Sequence, residues 1–197
     1  AGVARDELGE DDVALERLKK VTPESRFYKN AAVHISFLYQ EMGEVKKAIE
    51  NLSLVLEQLP EDEELYNYLG VLYEDDEQYE NAVRILKEGL QIDPENPRLH
   101  FRLGVVYDKM ENKEESIAQM KRVIDLDPED ANALNYLGYT YADLGINLEE
   151  AEQLILKALE IKPDDGYITD SLGWTYFRQG RYREAVDTLE KAVRLVS

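Results

Sequence analysis

The residues able to do acid–base or metal chemistry are few and scattered. The chain of 197 residues has two histidines, His34 and His100, and no cysteine. Thiolate nucleophiles, disulfides and zinc–sulfur sites are therefore excluded, while the redox compartment stays open. Neither histidine has a serine at a spacing that would make a nucleophile and base pair, so both are read as structural. Carboxylates are plentiful, 42 against 23 lysines and arginines, for a formal charge of −19. On so acidic a surface carboxylates fall near one another without design, and no glycosidase-like pair is assigned. The run Asp125-Leu126-Asp127-Pro128-Glu129-Asp130 has the acidity of a calcium loop but lacks its turn glycine. The stretch from Gly138 to Gly145 lacks the lysine that would meet a phosphate. The expectation is thus no catalytic residue, no metal and no cofactor.

Charge narrows the partners. A basic footprint for nucleic acid is missing, and an anionic membrane surface is disfavoured for the same reason. Residues 61–80 carry nine acids and no lysine or arginine, which reads as a solvated face or as a field that steers a basic partner. The last segment, residues 166–197, is more balanced, with Arg178, Arg181, Arg183, Lys191 and Arg194 against Asp170, Glu184, Asp187 and Glu190. No run reaches the roughly 18 apolar residues of a bilayer span, and the charged start, Ala1 to Glu7, has no apolar core of a secretory signal.

The elements behind these residues are set by one spacing. Gly70, Gly104 and Gly138 are 34 residues apart and Gly173 follows after 35, each inside Leu-Gly-x-x-Tyr, ending at Tyr73, Tyr107, Tyr141 and Tyr176. Pro94, Pro128 and Pro163 follow at a matching distance. Within a period the apolar residues fall twice at helical spacing: Leu65, Leu69, Leu72 and Tyr73, then Ala82, Ile85, Leu86 and Leu90. The glycine marks a close approach of helix backbones, and the proline ends each unit. A fixed period of this length means stacked copies of one helical hairpin.

These residues resemble the tetratricopeptide repeat (TPR) family, over nearly the whole chain. The resemblance implies an all-α fold, a right-handed α-solenoid of antiparallel helix pairs forming one continuous domain. Five repeats are drawn at 29–62, 63–96, 97–130, 131–165 and 166–197, the fourth with a one-residue insertion near Gly145-Ile146-Asn147-Leu148, and 1–28 as an incomplete N-terminal repeat built on Leu8-Gly9, Ala14, Leu18 and Val21. The first repeat departs from the pattern at Ile35-Ser36, and the third has Ser116 in place of alanine. The ends read as open, so a piece of a longer repeat protein is expected.

The resemblance also implies where ligands bind: on a concave groove lined by the first helices. Carried onto this sequence, that face holds Phe37, Asn67, Val71, Phe101, Val105, Asn135, Tyr139, Tyr167, Asp170, Trp174, Phe177 and Arg178, along with Val33, Ala142 and others. Phe37, Val71, Val105, Tyr139 and Trp174 share the ninth position of their repeats, and an exposed apolar row marks an interaction site. The competing reading, burial between neighbouring first helices, is open at this stage. Asn67 and Asn135 can pair with a peptide backbone, and Trp174 with Phe177 and Tyr167 can anchor an interface. The only bases on the face are Arg98, Lys109 and Arg178, among seven acids, Glu41, Glu64, Glu74, Asp75, Asp108, Asp143 and Asp170. A clamp for a C-terminal carboxylate is therefore rejected, and the expected ligand is a protein or peptide with apolar side chains and some positive charge.

The function expected is a non-enzymatic scaffold or adaptor. The alternatives are self-assembly through open terminal repeats, or service as the non-catalytic arm of a larger enzyme. The last two repeats, from Asn135-Tyr136-Leu137-Gly138-Tyr139 to Asp170-Ser171-Leu172-Gly173-Trp174, are similar to large bacterial TPR proteins, several of them periplasm-facing lipoproteins. That similarity implies the bacterial envelope, with the cytoplasm as the alternative.

Overall fold

The structure is a computed structural model and describes residues 13–196. The Leu8-Gly9 pair of the incomplete first repeat lies outside them; residues 13–18 are helical. Among the described residues there is no strand. The chain divides into two compact units, Ala1–Val106 and Tyr107–Ser197.

In the first unit, α1 (Tyr28–Glu41) pairs with α2 (Val45–Gln58) and α3 (Glu63–Asp75) with α4 (Tyr79–Ile92), followed by α5 (Pro97–Lys109), which runs into the second unit. The second continues with α6 (Lys113–Leu126), α7 (Ala131–Leu144), α8 (Leu148–Ile161), α9 (Gly166–Arg178) and α10 (Tyr182–Val196). There α7 packs on α8 and α9 on α10. Repeated Leu and Ile residues fill the cores: Leu65, Leu69, Leu86 and Leu99 in the first, Leu134, Ile155 and Ile168 in the second, all buried.

Each hairpin closes on its glycine. A Cβ on Gly70 would lie 2.6 Å from Leu86 Cδ2. On Gly138 it would lie 2.6 Å from Ile155 Cγ1 and 2.9 Å from the Ala151 carbonyl oxygen, and on Gly173 it would meet Leu189 at 2.7 Å. The second helix thus lays an aliphatic side chain into the space a side chain on the first would take, which is the close approach expected from the spacing.

The turns inside hairpins share one device. Gly43, Glu77, Glu111, Gly145 and Gly180 all have positive φ, from 56 to 79°, and each stands seven residues after the Ser36 or glycine of its repeat. Three are glycines, which reach this region without the steric cost that Glu77 and Glu111 carry. The α7–α8 turn has a second such residue, Asn147 at φ 48°. Between hairpins the acids after proline serve as caps. Asp130 accepts from the Asn132 and Ala133 backbone N–H groups, Asp165 from Tyr167 and Ile168, and Asn96, ahead of Pro97, from Arg98 and Leu99. Each satisfies two N–H groups that the first turn of a helix leaves open.

Arg181 ties three helices of the second unit together. Its guanidinium donates to Glu152 of α8 at 2.7 Å and to Glu184 of α10, and lies 4.1 Å from the centre of the Tyr176 ring of α9. One core position is imperfect: Ser116 is buried where the other second helices have alanine, and its hydroxyl has no partner within the chain.

Two stability outcomes follow. Gly138→Val forces a branched side chain against Ile155 and the Ala151 carbonyl, and lowers the urea-unfolding free energy by about 3 kcal/mol, at the upper end of overpacking costs. Ser116→Ala removes an unsatisfied buried hydroxyl and raises it by about 1 kcal/mol. A Gly138→Val midpoint equal to wild type would show that the α7–α8 approach is no constraint.

Candidate functional site

In the first unit the face of α1, α3 and α5 collects Phe37, Asn67, Val71, Phe101 and Val105. Phe37 is exposed and the other four are half-buried. Phe37 stands edge-on to Tyr68, with ring centroids 6.0 Å apart and planes at 80°. Beneath this pair is a narrow apolar cleft floored by Leu52, Leu72 and Val33. Val33 is therefore corrected from an exposed groove residue to a buried floor, because its side chain is taken up by packing between α1 and α3. Ala142, also placed on the face by the repeat pattern, is fully buried.

Beside the Phe37 cleft a wide hollow of ≈ 830 Å³ opens among Lys29, Asp62, Glu64, Asn67, Tyr68 and Arg98. Lys29 bridges Asp62 at 2.8 Å and Glu64 at 2.5 Å, and the Tyr68 hydroxyl donates to Glu64. The hydrogen bond from Lys29 outweighs burial and holds the Glu64 carboxyl below its ordinary value. Burial would lower the Lys29 ammonium, but its hydrogen bonds to Asp62 and Glu64 raise it overall.

In the second unit the face of α7 and α9 carries Asn135, Tyr139, Tyr167, Asp170, Trp174, Phe177 and Arg178. Trp174 and Phe177 stack, centroids 5.3 Å apart with planes at 21°, and Tyr182 extends the cluster 5.7 Å from Phe177. Arg178 lies 5.6 Å from the centre of the Trp174 ring and donates to the Asp143 carbonyl at 2.5 Å. Room for that guanidinium comes from Gly145, whose added Cβ would sit 2.6 Å from Arg178 Nη2. Tyr167 is 76% exposed, Phe177 47% and Tyr139 43%, so these rings stand in solvent rather than in the core. Asp170 is exposed, while Asn135, Trp174 and Arg178 are half-buried. Two polar atoms here have no partner within the chain although both are buried: the donor Trp174 Nε1 and the acceptor Asn135 Oδ1.

Of the seven acids on these faces, four are engaged within the protein. Glu64 pairs with Lys29, Glu74 with Arg102 at 3.1 Å, Asp108 with Lys113 at 2.7 Å, and Asp75 accepts from Gln40. Sequence reasoning missed Tyr68, Lys29 and Tyr182, which lie outside the repeat positions used to mark the face; an aromatic directly after Asn67 was the available signal for Tyr68. His100 places its Nε2 3.0 Å from the Pro94 carbonyl at the start of α5, and His34 is exposed on α1. Among the described residues, no group of three or more His, Asp or Glu side chains is arranged to hold a metal ion, and no helix is long and apolar enough to cross a membrane.

Consecutive helix hairpins that close on a repeated glycine, and that present aromatic and amide side chains from their first helices, define an α-helical repeat protein of the interaction-module class. Three tetratricopeptide repeat family models match, over residues 38–97, 74–137 and 129–196. The chain belongs to the tetratricopeptide repeat family, and its fold is the all-α solenoid of helix pairs that defines it. No curated protein matches it. Among solved structures it is similar to MamA, at 25% identity and a TM-score of 0.70, covering 87% of this chain and 93% of that one. MamA from Desulfovibrio magneticus RS-1 has the same fold at 22% identity and a TM-score of 0.72, with 84% and 93% covered. So does YrrB, described as a TPR protein with an unusual peptide-binding site, at 23% identity and a TM-score of 0.65, with 94% and 91% covered.

The Lys29–Glu64 pair makes stability pH-dependent in a defined direction. Glu64 is depressed below the ordinary glutamate value by its hydrogen bond from Lys29, so its contribution is complete above that ordinary value and is lost as the pH falls through the folded-state value. Lys29→Met removes the largest cause of that shift and leaves the smaller contributions of Tyr68 and Arg98. The stability gap between wild type and variant, measured by urea unfolding, is therefore open at pH 7 and narrows by pH 3; a gap that stays constant would deny the coupling.

Proposed function

We propose that this protein is an adaptor that binds an extended segment of another protein along its first-helix faces, with the aromatic face of α7 and α9 as the principal anchor. The observation that carries this reading is the pair of buried, unpartnered atoms, Trp174 Nε1 and Asn135 Oδ1, next to exposed Tyr139, Tyr167 and Phe177. A buried donor or acceptor left unpaired costs about 1–3 kcal/mol. Both atoms are closed to solvent in the free chain, so an extended backbone, which offers a carbonyl and an N–H, pairs with them only as the Trp174 and Asn135 side chains turn outward on binding. Trp174 and Phe177 together supply the large, rigid apolar area that concentrates binding energy.

The ligand chemistry is apolar with some positive charge. Three acids of these faces, Glu64, Glu74 and Asp108, are paired with cations inside the protein, but Asp170 and Glu41 stand exposed on a chain with a net charge of −19. A terminal carboxylate does not suit the α9 face, since Arg178 is committed to the Asp143 carbonyl and the Trp174 ring.

Peptides selected from a random display library on the intact protein test this. Trp174→Phe keeps an aromatic ring and deletes the donor. It leaves thermal stability equal or higher, and weakens the selected peptides by about threefold to tenfold, one hydrogen bond's worth. Asn135→Leu behaves alike, and Trp174→Ala loses more binding than either. Full affinity in both Trp174→Phe and Asn135→Leu would remove the assignment.

A further inference from the structure

We infer that Arg178 is a latch that holds Trp174 closed, so that partner binding on the α7 and α9 face is gated by release of the indole; this rests on the assignment of that face as the binding surface. Phe177 and Arg178 follow Trp174 by three and four residues on α9, the spacing that brings helical side chains together. Phe177 stacks on the indole with centroids 5.3 Å apart, and the Arg178 guanidinium lies 5.6 Å from its centre. The guanidinium is itself fixed from outside α9. The last turn of α7 leaves carbonyls open. Those of Tyr141 and Ala142 accept from the Ile146 and Gly145 N–H groups, and that of Asp143 accepts from Arg178 at 2.5 Å. A cation is favoured at such a helix end, and Gly145 leaves it room. These contacts lie within α9 or reach back to α7.

The closed position leaves two polar atoms unsatisfied. Trp174 Nε1 and Asn135 Oδ1 are buried without a partner within the chain, and such atoms favour any arrangement that lets them reach water or another backbone. The contacts of the ring offset that tendency, and the cation beside it is the one contact anchored on a second helix. Two states follow. In the closed state the ring lies by the guanidinium with Nε1 unpaired. In the open state the ring is turned out and Nε1 is free to donate, while the guanidinium stays on the Asp143 carbonyl. A partner that pairs with Nε1 binds only the open state, so its apparent affinity is reduced by the fraction of molecules that are open.

Trp174 is the only tryptophan of the chain, so its fluorescence reports the latch with no ligand present. Arg178→Met keeps an apolar stem and deletes the guanidinium. Gly145→Ala keeps the arginine and its charge but sets a Cβ 2.6 Å from Nη2, which displaces the guanidinium. Both variants keep a helical circular dichroism spectrum and raise acrylamide quenching of Trp174 above that of wild type. Both also bind the peptides selected on the wild-type protein about twofold to fivefold more tightly, the range set by a cation–π contact at a part-exposed site. A purely structural role for Arg178 would instead weaken binding when the contact is lost. Quenching equal to wild type in both variants overturns the latch, as does raised quenching with no gain in affinity. A gain confined to Arg178→Met is an effect of charge on a basic peptide and overturns it too. None of these outcomes bears on whether peptides dock at this face, which Trp174→Phe and Asn135→Leu decide.

Discussion

The contact on which the rest depends is the seating of one aliphatic side chain over one glycine in each hairpin: Leu86 over Gly70, Ile155 over Gly138, Leu189 over Gly173. The two partners are 16 residues apart in the first and last cases and 17 in the middle one, where the α7–α8 turn carries Asn147 as a second left-handed residue. The chain accepts an added residue in the turn and keeps the glycine contact. That choice follows from packing: a gap or clash between two helices costs core contacts along their length, whereas one left-handed asparagine costs little because its short polar side chain tolerates that region. The left-handed residue that starts each turn keeps its distance from the glycine for the same reason. Where it is Glu77 or Glu111, local strain is borne to preserve the register.

Once the glycine and its leucines are committed to the core, polar groups have a restricted set of places to go. The helix starts are satisfied from within by Asp130, Asp165 and Asn96. Much of the acidity is likewise spent on bracing neighbouring helices, as in Lys29 with Asp62 and Glu64, or Arg102 with Glu74. Formal charge therefore overstates the field felt by a ligand near α1 and α3. Near α9 the aromatic rings and the committed Arg178 dominate, so that surface is defined by shape more than by charge.

The hairpins, their glycines and their caps were legible because each is tied to a residue type with one physical use. Gly138 has no side chain, Asp130 accepts hydrogen bonds near its own backbone, and Pro97 fits a first helical turn. The site was legible only as a set of positions. Exposure of Tyr139, Tyr167 and Phe177 could not be separated from burial by period alone, since an aromatic on a first helix can pack against the next hairpin or stand clear of it. Tyr68 was missed because it falls between repeat positions used to mark the face, and Tyr182 because it comes from a second helix. The unpartnered Trp174 Nε1 and Asn135 Oδ1 had no sequence signal, since hydrogen-bond satisfaction is a property of the packed neighbours rather than of the residue. The internal pairing of Glu64, Glu74, Asp75 and Asp108 was hidden for the same reason: its partners come from other helices or from the far side of a turn.

A repeat fold spends its invariant positions on the hairpin and leaves the remaining ones to the surface, so apolar residues at the remaining positions need a separate cause. In α1 to α4 the remaining positions are mostly charged or amide, as expected for helices facing water, with Phe37, Leu54 and Ile92 the large exposed exceptions. In the second unit they are not. Tyr139, Tyr167 and Phe177 on the first helices, and Tyr182, Val186, Val193 and Val196 on α10, remain exposed after every core contact is made. Single exposed hydrophobes are ordinary, but an ordered aromatic set on the first helices is not accounted for by the hairpin contacts, whereas the α10 set stands where Ile49, Leu56, Val83 and Leu90 are buried or half-buried in earlier second helices. The two sets also differ in kind. The aromatic set lies beside buried hydrogen-bonding atoms without partners, and the aliphatic set repeats the apolar positions of the other second helices.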